Sequence, residues 1–232
     1  MSITETSRTD FRTVTCDLYR DIHKGIRSEL FAVTGIAGCI DPGGAAARRA
    51  LADRVAGVVD LLVVHAHHED AAVLPVLQEQ LPELADQIES DHERLDRRLV
   101  ELGTMAEETA VALDDTRDRM QRLYLELASF TSSYLEHQDI EERVVMPALE
   151  DAVGVEATFG IHGAILAAIP PQEMATSLAL MLPAMNIDDR AGLLGGMRAN
   201  APAEVFAGVW GLAGSVLTEP DFLDLARRLD LA

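Results

Sequence analysis

The chain has 232 residues and a formal net charge of −20, with 19 Lys and Arg against 39 Asp and Glu. That acidic balance argues against nucleic acid as a partner, because phosphates call for a basic face, and against adhesion to an anionic membrane surface. A hydrophobic content of 48% with only 4% aromatics points to an Ala/Leu-rich helical globule and away from a β-sandwich or a disordered acidic chain.

The amino-terminal stretch carries no apolar run, so no secretory leader is expected. No run of about 18 apolar residues predicts a membrane span. Cys16 and Cys39 lack zinc-type spacing and are expected as free thiols in a reducing cytoplasm. The first helix is expected from Thr9 or Asp10 to Ala37, ended by Gly38 and the turn Asp41-Pro42-Gly43-Gly44. A second is expected over Ala45–Glu79, with Leu51, Val55, Val58, Leu62, Val73 and Leu77 recurring at helical spacing on one face. Leu81-Pro82-Glu83 reads as a turn into a third helix ending near Glu108. Asp114 and Asp115 offer acceptors for the start of a fourth helix, which runs to about Ala152. No segment alternates as a strand does. The predicted class is therefore all-α: an up-down-up-down four-helix bundle over residues 10–153. Residues 154–232 form a C-terminal extension, sparse in charge and rich in Gly and Pro, with short helices near 172–184, 187–199, 202–217 and 220–230. Their apolar character suits packing on the bundle or a homodimer surface.

The chemistry sits in an internal repeat. His65-x3-Glu69-x5-Pro75 recurs as His137-x3-Glu141-x5-Pro147, and each copy is preceded by one histidine on the previous helix, His23 and His92. Residues i and i+4 lie about 40° apart on a helix, so each His/Glu pair can reach one point. The same face carries Val58, Leu61, Leu62, Ala72 and Val76 around His65, and Phe130, Tyr134, Val144 and Ala148 around His137. A carboxylate aimed into a core cannot stay charged and alone. Two of them among four imidazoles call for a strong common partner, and a pair of metal ions supplies one.

This pattern resembles the hemerythrin-like, or HHE cation-binding, domain over about residues 15 to 150. The resemblance implies a non-haem di-iron centre inside the bundle. It implies that His23 and His65 serve one iron and His92 and His137 the other. Glu69 and Glu141 then bridge the two ions beside an oxo or hydroxo group. It also implies binding of, or reaction with, O2, hydrogen peroxide or NO, in a stress response or in sensing. The family's oxygen carriers have a second histidine one turn after the one on the third helix; here Asp96 stands at that position. A shell short of one nitrogen donor favours reaction, such as catalase-like decomposition of peroxide, over simple carriage. Asp96, His68 and His162 are the candidates for an additional ligand or a supporting hydrogen bond. His68 lies off the core line, and His162 is expected on a loop beyond the bundle. His67 faces away and is expected in solvent.

Two other readings stand beside this one. A ferritin-like iron-handling protein needs Glu-x-x-His on two helices, and Glu89-x-x-His92 is a single match. A non-catalytic iron or redox sensor, signalling through the C-terminal helices, shares the ligand set.

Overall fold

The computed structural model describes residues 12–231. The helices are α1 Arg20–Cys39, α2 Ala45–Ala72, α3 Leu74–Gln80, α4 Pro82–Val111, α5 Thr116–Ile140, α6 Met146–Val153, α7 Val155–Ala168, α8 Pro171–Ala184, α9 Ile187–Asn200, α10 Ala203–Val216 and α11 Glu219–Arg228. A five-residue π-helical turn, Glu141–Val145, joins α5 to α6. No strand occurs among the described residues. The all-α bundle with extra C-terminal helices is as expected from the sequence.

Contacts divide the chain into two compact units. One holds Glu29–Ala168 together with the segment ending at Leu18; the other holds Tyr19–Ser28 and the chain from Ile169 onward.

In the first unit, all six apolar positions expected on the core side of the second helix are buried: Leu51, Val55, Val58, Leu62, Val73 and Leu77. They pack α2 against α4, and α5 lies along α4 in turn. The C-terminal half of α1 joins through the Glu29–Arg54 ion pair at 2.7 Å and the Thr34–Thr131 hydroxyl contact at 3.0 Å. Arg48 closes the end of the bundle away from Pro75 and Pro147. Its guanidinium donates to the carbonyls of Pro42, Thr109 and Ala112, so a buried cation becomes a tie between the α1–α2 turn and the end of α4.

Several boundaries differ from the sequence reading. The first helix begins at Arg20, not at Thr9 or Asp10; residues 9–11 lie outside the described residues. The cause is distant in sequence. Glu150 accepts the backbone N–H groups of Thr15 and Cys16 at 2.8 and 3.1 Å, and Asp151 pairs with Arg12, so this segment's donors go to side chains and not to helical carbonyls. The second helix does not run unbroken to Glu79. It stops at Ala72 and resumes at Leu74, because Pro75 has no N–H to give and its ring crowds the preceding turn. Asp115 does begin the fourth helix, but with φ 50° and no side-chain cap; its carbonyl accepts from Arg119 instead. The helix α7 was not expected, and His162 sits on it, not on a loop. Its glycines and mostly apolar composition hide a helical period. Cys16 is buried, Cys39 is exposed, and both are free thiols.

The second unit has its own core of Leu182, Leu194, Ala213, Leu217 and Leu225, built from α8 to α11 close to the expected ranges. Asn186 caps α9 by accepting from the N–H groups of Asp188 and Asp189, and Thr218 caps α11. The first turns of α1 belong here. Lys24 pairs with Asp189, and a Cβ on Gly25 would lie 2.9 Å from Leu180 Cγ.

That close approach gives a test. A mid-helix glycine with free space around it should gain about 0.5–1 kcal/mol on becoming alanine. Gly57, with nothing within 4 Å of its added Cβ, should behave so. Gly25→Ala should instead lower the melting temperature, because Leu180 must move. Thermal denaturation of the two variants checks the opposite signs.

Candidate metal centre

The site lies in the half of the bundle nearest the two prolines. His65 and Glu69 occupy the last two turns of α2, His92 the third turn of α4, and His137 the last turn of α5; Glu141 opens the π turn. Each helix buries these residues because they continue its apolar stripe: His65 follows Val58 and Leu62, His92 lies between Ile88 and Leu95, and His137 follows Phe130 and Tyr134. Exposures are 9% for His65, 7% for Glu69, 6% for His92, 2% for His137 and 1% for Glu141.

Glu69, His92, His137 and Glu141 each offer one ligand atom, and these four atoms lie within 4.8 Å of one another. His65 Nε2 is 3.1 Å from Glu69 Oε1, and His137 Nε2 is 3.1 Å from Glu141 Oε1. The two halves of the repeat therefore make the same contact. His92 stands between them, its Nε2 3.5 Å from Glu69 and 3.8 Å from Glu141, with no hydrogen-bond partner for that nitrogen. Imidazole and carboxylate together are the donor set of first-row transition metals. A buried nitrogen facing two buried carboxylates, with no proton acceptor at bonding distance, fits a shared cation.

His92 is held from behind. Its Nδ1 lies 2.8 Å from Asp70, which fixes the ring and leaves Nε2 to point at the centre. Asp91 sits behind His137, 3.9 Å from Nδ1, a charge contact too long for a hydrogen bond. His137 and then Arg94 hold Asp91 below the usual carboxylate range, against the effect of its own burial. Neither aspartate was foreseen. Each adjoins a motif residue, Asp70 after Glu69 and Asp91 before His92, and only the antiparallel pairing of α2, α4 and α5 turns them towards a partner's histidine.

The remaining residues named from the sequence are placed as follows. His23 is completely buried on α1, in the segment grouped with the second unit, its ring stacked on Tyr19 at 5.1 Å. Asp96, a candidate for an additional ligand or a supporting hydrogen bond, is exposed on α4 and is not among the clustered ligand atoms. His162 is half-exposed on α7 and stands apart from the cluster as well. His68 is partly buried with its ring against His67, and His67 is exposed as expected. Tyr134 packs edge-on against His137 at 5.7 Å. Burial first, then the charges of Glu69, Glu141 and Asp96, pushes its phenol well above the ordinary range, so the O–H is retained.

Without metal, the carboxylates hold protons on the imidazoles. Burial opposes a charged His92, yet Asp70, Glu141 and Glu69 raise it to about 12. His137 rises to about 9 against the same penalty, chiefly through Glu141 and Asp91. A group raised on folding contributes stability that is complete below its unfolded value, near 6.5, and is lost as pH climbs towards the folded value. The metal-free protein should therefore melt at lower temperature as pH goes from about 6.5 to 9. A bound cation replaces those protons, so its affinity rises over the same range. The gap in melting temperature between metal-loaded and metal-free protein should widen with pH; a gap that narrows would show the imidazoles neutral before metal arrives.

The profile of the hemerythrin HHE cation-binding domain matches residues 15–162. No curated protein and no solved structure matches the chain. Among the described residues no single helix is long and apolar enough to cross a membrane.

Proposed function

The chain belongs to the hemerythrin HHE cation-binding family, and we propose that its bundle holds two iron ions and uses them on dioxygen, hydrogen peroxide or nitric oxide. The observation that carries this reading is the convergence of Glu69, His92, His137 and Glu141 in a buried core. Adding His65, in contact with Glu69, and His23, assigned by the repeat, gives six donors from two equivalent hairpins. Six imidazole and carboxylate donors exceed what one tetrahedral zinc takes and suit two ions of higher coordination number.

The irons, when bound, supply the electrons and the open coordination positions. The chain supplies the rest. Glu69 and Glu141 place negative charge between the two histidine sets. Asp70 orients His92, and Asp91 stands behind His137. Phe130, Tyr134, Leu62 and Val144 exclude water around them. With Asp96 turned to solvent, the shell lacks the nitrogen that the oxygen carriers have, which favours turnover of peroxide over storage of O2. A ferritin-like site is disfavoured, because Glu89, half of its only Glu-x-x-His match, is exposed.

Elemental analysis should find close to two irons per chain. Glu69→Ala and Glu141→Ala should each lose metal and visible absorbance, whereas His67→Ala should keep both. Equal metal in all three variants, or a folded protein with one zinc, would overturn this reading. Asp70→Asn should leave the fold intact and weaken metal binding by about 10- to 100-fold, as loss of such outer hydrogen bonds does elsewhere; competition with a chelator measures it.

A further inference from the structure

Gln138 is completely buried, and neither its Oε1 nor its Nε2 has a hydrogen-bond partner. That is anomalous for this protein. An amide left unsatisfied in a core carries a desolvation penalty, and an apolar side chain of the same shape avoids it. The other buried polar side chains of the first unit outside the centre have partners: Arg48 has three carbonyls, Thr109 and Thr158 give their hydroxyls to the Met105 and Gly154 carbonyls, and Thr131 meets Thr34.

Its position is specific. Gln138 directly follows His137 and comes one turn before Glu141, about 60° from Glu141 around the helix. Its own carbonyl accepts the Glu141 N–H, and the backbone passes into the π turn at Glu141. Such turns are rare and recur at functional sites, because the widened ring re-aims the side chains on either side. The orphaned amide and the start of the π turn thus lie within one helical turn of each other, at a candidate metal-binding carboxylate.

We infer that the Gln138 amide is the hydrogen-bonding partner of the small exogenous ligand taken up at the metal centre, a molecule bearing a lone pair or negative charge that accepts from Nε2. This rests on the metal reading above and adds to it a residue that the repeat does not contain. An amide suits the role: it donates without titrating, and it can also accept through Oε1. Gln138 is a ligand-binding residue here and not a metal ligand.

Azide is the probe. The natural chain and the Gln138→Met and Gln138→Leu variants are compared by elemental analysis, by melting of the metal-free forms, and by azide titration of the metal-loaded forms followed by absorbance. The variants should hold the same metal as the natural chain. Metal-free Gln138→Met should melt a few degrees higher, because a core penalty has been removed. Both variants should bind azide at least tenfold more weakly. An unchanged azide affinity, a Met variant that melts below the natural metal-free chain, or loss of metal from the variants overturns the inference. Failure of the metal reading shows separately, as a natural chain that holds no metal before azide is added.

Discussion

Two carboxylates placed in the core of a helical bundle set the terms for the rest of this molecule. Ionised Glu69 and Glu141 would each lose several kcal/mol of hydration on burial. At 7% and 1% exposure they have little access to bulk water, so the compensation must come from neighbouring side chains. The nearest are imidazoles on the same faces. Protonated, these make the core tolerable without metal. Deprotonated, they and the carboxylates together hold a cation. The bundle therefore cannot be separated from its site. Either protons or metal must occupy the centre for α2, α4 and α5 to close around it, and binding free energy at that centre is in part folding free energy.

The sequence repeat is close to exact, but the backbone resolves it in two ways. Pro75 and Pro147 stand at equal distances from Glu69 and Glu141, and each removes an N–H from a helix that would otherwise continue. After Glu69 the helix simply stops, and Val73 closes onto the Glu69 carbonyl at 2.8 Å. After Glu141 the helix persists by widening, with Met146 bonded to the Glu141 carbonyl across five residues. One glutamate thus caps a helix end while the other opens a π turn. The supports behind the histidines are also unequal, a 2.8 Å hydrogen bond from Asp70 at His92 and a looser charge contact from Asp91 at His137. A pseudo-symmetric set of candidate ligands thus sits on a backbone that differs between its two halves.

The repeat and the helical periods were legible in the sequence because they are local. Leu51 through Leu77 show their face at spacings of three and four, and the His/Glu pairs lie on that face, so the buried centre follows from the pattern. The C-terminal helices were legible from the prolines that punctuate them. What stayed hidden depends on partners far along the chain. The start of α1 is set by Glu150 and Asp151, more than 130 residues away. Asp70 and Asp91 read as solvated charges on their own helices, and only the packing of those helices gives each a histidine. The helix α7 was hidden for another reason: a segment both glycine-containing and almost uniformly apolar has no period to detect.

Buried polar groups also divide here into two kinds, and the division separates fold from function. Arg48 donates to three carbonyls at the closed end of the bundle, and Arg190 donates to the carbonyls of Leu182 and Pro183 beside Asp221. Each is fully employed by main chain that it ties together, so each is a structural cation whose role ends within the protein. The groups around Glu141 behave differently. His92 presents to the centre a nitrogen without a hydrogen-bond partner, its nearest carboxylates 3.5 and 3.8 Å away, and Gln138 presents a whole amide without one. Selection for stability alone would replace such a group with an apolar one of the same shape, since most sequences have room to gain stability in this way. Polar atoms that the fold does not use, kept within one turn of buried carboxylates, are the groups on which the proposed metal and ligand binding draws. The density of such groups at the Pro147 end of α5, set against their absence around Arg48, locates the working end of the bundle.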